Sequence, residues 1–269
     1  MALQSATINV MTGAAMKAGR ALVRDFGEVE QLQVSRKGPG DFVSVADTKS
    51  ERIILRELQK ARPDFGFLLE EKGEIRGADE SRRWIVDPLD GTTNFLHGVP
   101  HFAISIALEE NGQIVAGVVY QPLTDEMFWA ERGRGAYLNS QRLRVSGRRD
   151  LNLCLVATGI PHQGREGDGF FSAELAAIMP QVAGVRRFGA ATLDLAYVAA
   201  GRYDAFWESG LSPWDIAAGV ILVQEAGGMI TEFTGRGEML KTGQVLASNG
   251  FVHGPMTRLI REGRKAARA

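Results

Sequence analysis

The 269-residue chain is 45% hydrophobic and 23% charged, the balance of an ordinary globular protein, which excludes a fibrous or largely disordered design. Its 31 basic and 32 acidic side chains leave a formal net charge of −1, so no whole-molecule field draws it to nucleic acid or an anionic membrane. One cysteine, Cys154, excludes an internal disulfide, and four histidines are too few soft ligands for a structural zinc site. MALQSATINV lacks the basic and apolar regions of a secretory signal, and no apolar run is long enough to span a bilayer, so a cytoplasmic location is expected.

Residues 3 to about 26 read as a helix with an apolar face through Leu3, Val10, Ala14, Ala18, Leu22 and Phe26. Gly38, Pro39 and Gly40 then force a loop. Thr48 and Glu51 match a capping box ahead of the helix ERIILRELQKA, which Pro63 ends. GFLLEE and RRWIVD read as buried strands, followed by ISIALEE, IVAGVVYQ and EMFWAE, the first two joined by the hairpin signal Asn111-Gly112-Gln113. From LCLVATG onward strands alternate with helices, which predicts sheets covered by helices on their faces. The chain reads as a single domain over 1–269, of two tightly packed halves with an approximate divide near 139–152.

The stretch WIVDPLDGTTNF carries the most chemistry. Asp87 stands at the C-terminal end of a strand, where open α/β sheets place their sites, and Pro88 predicts a sharp exit from it. Asp90 follows, with Gly91, Thr92 and Thr93 in the turn. Two carboxylates about 4 Å apart repel by about 4 kcal/mol at an effective dielectric near 20. A hard divalent cation offsets that repulsion, and oxygen-only ligands point to magnesium, manganese or calcium. The Gly91 and Thr92 amides are candidates to receive phosphate oxygens. Asp47, Glu70, Glu71 and Asp215 are further acids near element ends; Asp215 also suits a helix cap, after Ser212 and Pro213. His97 and His101 have a zinc-like spacing that Pro100 interrupts, and the tail MTRLIREGRKAARA reads as a basic amphipathic helix with a solvated face.

Taken together, DFVSVAD, GFLLEEKGE, WIVDPLDGTTNFLHGVP and PWDIAAGVILVQEAGG resemble the pattern of the inositol monophosphatase family, from near the N-terminus to the C-terminal region. The chain departs from that pattern at Leu69 and Lys72, where most of the family has glycine and serine. The resemblance implies a layered α-β-α-β-α sandwich of the sugar and inositol phosphatase superfamily, magnesium dependence with two to three ions, and inhibition by lithium. It implies a first ion on Glu70, Asp87 and the Leu89 carbonyl, a second on Asp87, Asp90 and Asp215, and a third near Glu70. Thr92, supported by Asp47, would orient the attacking water. Gly91 and Thr92 would grip phosphate. Glu208 and the Gly189, Ala190 and Ala191 loop would meet the alcohol, with Arg186 or its neighbour Arg187 reaching the substrate.

The expected activity is hydrolysis of inositol 1-phosphate or a related small phosphorylated alcohol by activated water. Histidinol phosphate, fructose bisphosphate and nucleotide 3′-phosphates are alternative substrates, and no nucleophile with a paired base suggests a covalent route. The resemblance also implies a homodimer and, as a different class of role, assistance to transcription or ribosome assembly.

Overall fold

The structure, a computed structural model, describes residues 4–28, 34–38, 41–162 and 168–268, for 34–38 and 41–44 the backbone alone. Helix α1 (Ala6–Phe26) starts later than the periodicity suggests because Ser5 caps it, accepting from the Ile8 amide at 3.2 Å. Its buried face runs through Ile8, Met11, Ala14, Ala18 and Leu22, whereas Leu3 lies outside the described residues. Strands β1 (Val34–Gly38) and β2 (Asp41–Ser44) form an antiparallel ribbon; Gly38 closes the first strand, and Pro39 and Gly40 of the expected loop lie outside the described residues.

Helix α2 (Val45–Ala61) begins before Thr48, which corrects the expected capping box. Thr48 Oγ1 donates to the Val45 carbonyl from within the first turn, and the buried Glu51 accepts from the Glu71 amide instead of a cap. The chain then forms β3 (Phe65–Leu69), β4 (Gly73–Ile75), β5 (Asp79–Asp90), the short helix α3 (Thr92–Leu96), β6 (Ala103–Glu110), β7 (Gln113–Gln121), β8 (Glu126–Glu131), β9 (Gly135–Leu138) and β10 (Gln141–Arg142). These strands build an eight-stranded sheet in the order β10-β9-β8-β7-β6-β5-β3-β4. The β6–β7 turn has Asn111 and Gly112 at φ of 51° and 74°, the conformation its sequence calls for.

After β11 (Leu155–Thr158) come α4 (Phe171–Ile178), β12 (Gly184–Arg186), α5 (Ala191–Ala199), β13 (Ala205–Glu208), α6 (Pro213–Glu225), β14 (Met229–Thr231), α7 (Met239–Thr242), β15 (Val245–Ser248) and α8 (His253–Ala266). The second sheet runs β12-β11-β13-β15-β14. Strand alternation sorts its side chains: Ala205 and Trp207 face α4 and α8, while Phe206 faces α5 and α6. In the first sheet Trp84 and Val86 face α1 and α2, and Ile85 faces α5 and α6. The result is five layers, α1/α2, sheet, α5/α6, sheet, α4/α8, the α-β-α-β-α sandwich that the family resemblance implies. Both helix N-termini of the middle layer start at the edge where β3, β5 and β13 end.

Candidate metal and phosphate site

Strand β5 does not exit sharply at Pro88, which corrects the expectation; it continues to Asp90 through an irregularity. Asp87 pairs with Ser105 and Asp90 with Ala103, so three steps on β5 oppose two on β6. This is a β-bulge, and Pro88, which has no N–H to give a ladder, is tolerated within it. The extra residue has a consequence for chemistry. Side chains three apart on a regular strand point to opposite faces, whereas the bulge returns Asp87 and Asp90 to the same one. Leu89 falls between them, its amide donating to Asp87 Oδ1 at 3.0 Å.

Three acids converge there. Ligand atoms of Asp87, Asp90 and Asp215 all lie within 4.8 Å of one another, and all three residues are buried. Strand β3 runs parallel to β5 with Leu69 opposite Val86, so Glu70 emerges beside Asp87, and its amide donates to the Val86 carbonyl at 3.2 Å. Burial first, then the charges of Glu70, Asp90 and Asp215, push the Asp87 carboxyl well above the usual carboxylate range. A cluster in that state calls for a proton or a cation. The donors are oxygens alone, which fits a hard divalent ion. Of the two glutamates, Glu70 lies against Asp87, whereas the Glu71 amide is turned to Glu51 Oε2 at 2.9 Å.

The chain's own donors hold the carboxylates in place. Ser212 N donates to Asp215 Oδ2 at 2.8 Å in a capping box, so this acid caps α6 while belonging to the cluster. Thr192 donates to Asp90 Oδ2 twice, from its amide at 2.8 Å and its hydroxyl at 2.6 Å. Gly91 turns the chain after Asp90 at φ 89°, and a Cβ there would also crowd the His101 carbonyl at 3.0 Å. Thr92 follows, with its hydroxyl 2.9 Å from Asp47 Oδ1 and 3.0 Å from the Leu89 carbonyl. Asp47 is in the first turn of α2 and is 1% exposed, so the acid reaches Thr92 from inside the protein.

The alcohol-side residues gather at the second sheet. Glu208 ends β13, and its carboxylate packs so closely on Gly159 that a Cβ there would come within 2.0 Å of it. Gly189, Ala190 and Ala191 lead into α5. Arg187 lies over this segment, its Nη1 2.9 Å from where a Gly189 Cβ would be, whereas Arg186 Nη1 donates to the Val185 carbonyl. Asn94 joins the two sides of the site: its side-chain amide donates to the His101 and Phe188 carbonyls at 2.8 and 2.7 Å.

Asp194, in the first turn of α5, is the acid that the motif reading passed over. It is 1% exposed, and burial, then Glu208 and Asp90, raise it well above the usual carboxylate range. It therefore lies between the acid cluster and Glu208. Its signal in the sequence is a lone acid between Leu193 and Leu195 in an otherwise apolar helix. Cys154 offers no nucleophile, since burial pushes its thiol up to about 11. His97 is exposed beyond the end of α3, and the His101 ring packs against Phe188 at 5.1 Å.

The model of the family described as "Inositol monophosphatase family" matches residues 3–266. The chain belongs to the inositol monophosphatase family. Its enzyme class, phosphoric monoester hydrolase, stands with that membership. An inositol-1-monophosphatase of Mesorhizobium japonicum is 58% identical over 259 residues, 96% of this chain and 97% of that protein. The crystal structure of the extragenic suppressor protein suhB of Bartonella henselae superposes with a TM-score of 0.94 at 57% identity, covering 96% of this chain and all of that one. The Nus factor SuhB of Pseudomonas aeruginosa is 48% identical over 246 residues, 90% of this chain and 91% of its own. Among the described residues no helix is long and apolar enough to cross a membrane.

Proposed function

We propose that the protein is a magnesium-dependent phosphatase that releases phosphate from inositol 1-phosphate or a closely related phosphorylated polyol. One observation carries the reading: buried Asp87, Asp90 and Asp215 meet at one sheet edge beside Glu70, with Thr92 and Asp47 next to them. The relatives named inositol-1-monophosphatase support the choice of alcohol. Glu70, Asp87 and the Leu89 carbonyl would hold one ion, and Asp87, Asp90 and Asp215 a second, with a weaker third beside Glu70. Bound magnesium, or manganese in its place, would polarise the phosphate, lower the pKa of the attacking water and stabilise the departing alkoxide.

The chain's own groups supply orientation. With the Thr92 hydroxyl donating to Asp47, its oxygen can accept from the attacking water; as that water gives its proton to the Thr92 oxygen, Thr92 would pass its own proton to the Asp47 carboxylate. The Gly91 and Thr92 amides would receive phosphate oxygens. Glu208 would accept from substrate hydroxyls beside the small residues Gly189, Ala190 and Ala191, with Arg186 or its neighbour Arg187, which lies over Gly189, reaching the substrate. The whole chain works as one unit in this reading, because one half supplies Asp87 and Asp90 and the other Asp215 and Glu208. A homodimer and sensitivity to lithium belong to the same proposal; size-exclusion with light scattering and a lithium titration test them.

The deciding assay measures phosphate release from myo-inositol 1-phosphate, histidinol phosphate, fructose 1,6-bisphosphate and a nucleotide 3′-phosphate, with magnesium and with EDTA. Highest kcat/KM on the inositol ester, abolished by EDTA, is expected; turnover that EDTA leaves untouched removes the proposal. A second reading, contact with transcription machinery, is favoured by the relatives named Nus factor and by exposed Arg258, Arg261, Lys265 and Arg268 on or just beyond α8. Co-purification with RNA polymerase that persists in an Asp90→Asn variant would establish it.

A further inference from the structure

Helix α5 has no cap of its own. Its N-cap residue, Ala190, has no side-chain hydrogen-bonding group, so the amides of its first turn need an acceptor from elsewhere. Asp90, 102 residues away in sequence, provides it. Its Oδ2 receives the Thr192 amide at 2.8 Å and the Thr192 hydroxyl at 2.6 Å, with Thr192 wholly buried. A carboxylate at a helix start is favoured by the aligned peptide dipoles, and bonds to an ionised acceptor are stronger than neutral ones.

The hydroxyl has a task that the amide alone does not perform. The terminal torsion of an aspartate is broad, and Asp90 has Asp87 and Asp215 as close neighbours. Held by one donor, its carboxylate can turn to reduce the repulsion. Held by two converging donors on one oxygen, its plane is fixed, and so is the direction of the other oxygen. The same contact fixes the first turn of α5, which begins at Ala191, the last residue of the Gly189–Ala191 segment.

We propose that Thr192 is a positioning residue whose hydroxyl clamps Asp90 to the start of α5, pre-setting the acid cluster for its cation and tying the alcohol-side loop to it. The inference rests on the metal-site reading above. Replacing a group that orients a ligand commonly weakens metal binding about 10- to 100-fold, and the retained amide places this case near the lower end. The test compares Thr192→Val, which keeps the shape and loses the donor, with Thr192→Ser, which keeps the donor. Calorimetric titration with Mg²⁺ alone, without substrate, should give about ten-fold weaker binding in the valine variant and near wild-type binding in the serine variant.

KM for the phosphate ester, measured at saturating Mg²⁺, should also rise in Thr192→Val and recover in Thr192→Ser. Thr192→Ala replaces the valine variant if circular dichroism shows that valine does not fold. Wild-type affinity in the donor-less variant overturns the inference, as does an equal loss in both variants, which would mark a packing effect. No Mg²⁺ uptake by the wild type would instead bring down the metal reading, and the clamp with it; the control thus separates the two failures.

Discussion

The acid cluster and the alcohol side are built by different means. Asp87 and Asp90 stand on a bulged inner strand of the eight-stranded sheet, and Asp90 and Asp215 are further held by amides at the starts of α5 and α6. Glu208 stands at the end of a strand of the five-stranded sheet and is half-buried, while Arg187 is exposed. The first region is over-determined: moving any of its acids disturbs a helix cap or a sheet register. The second depends on small residues leaving room for one carboxylate. This difference predicts chemistry that is hard to alter and alcohol preference that is easy to alter.

The harshest way to break the first region is Asp90→Asn. It keeps an oxygen for Thr192 but removes a charge from the cluster, so turnover should fall on the order of a thousand-fold or more. The fold should survive, and in EDTA the variant should melt a few degrees higher, since a repulsion is relieved. Phosphate release and thermal melts measure the two arms. Activity within ten-fold of wild type would show that the cluster is not the reacting site.

Gly159→Ala probes the second region. A Cβ 2.0–2.2 Å from the Glu208 carboxyl atoms forces that side chain away, so KM should rise about ten-fold with kcat changed much less. Equal losses in kcat on all phosphate esters would mean that Glu208 serves the phosphate end, and the contrast between the regions would fail. Asn94→Ala tests the bridge between them. Loss of both carbonyl contacts should loosen the Phe188–Gly189 segment and cost a few-fold in kcat/KM on the polyol ester, with Mg²⁺ affinity unchanged.

The sequence makes the first region the more legible for physical reasons. A dense run such as Asp87 to Thr93 announces itself because acids, glycine and hydroxyls that close together serve no packing purpose. The bulge across Pro88 was not legible: proline's missing N–H argues against a strand unless the partner's register is known. Thr48 and Glu51 have the spacing of a cap, but the chain enters α2 from the β2 ribbon three residues earlier, and Glu51 is drawn to a contact 20 residues away. Nor does local pattern separate Glu70 from Glu71, because both lie past the end of β3, where alternation no longer assigns faces. Gly159, Thr192 and Asp194 were missed for a common reason. Each acts through partners outside its own element, Glu208 for Gly159, Asp90 for Thr192, and Glu208 with Asp90 for Asp194, which no local pattern brings together.

The smallest effect expected is on stability in acid, and it concerns the bridge between the regions. His101 packs against Phe188 and Tyr197, its Nε2 has no hydrogen-bond partner among the described residues, and burial lowers its pKa from 6.5 to about 4. The native state thus holds the ring neutral where the unfolded chain would protonate it. Stability from this group is full above about pH 6.5 and is lost progressively as pH falls toward 4, because the unfolded state binds the extra proton in that window. His253, between Thr231 and Ser248, is lowered by burial too and acts with the same sign. Asp87 opposes both, since a carboxyl raised well above its usual range takes up a proton in the folded state first. A His101→Phe variant isolates the ring: its melting temperature should fall less than wild type's between pH 7 and 4.5, by a few degrees at the acid end. Parallel curves for the two proteins would mean that solvent reaches the ring in the native state, and that the contact of His101 with Phe188 is too loose to hold the two halves of the site in register.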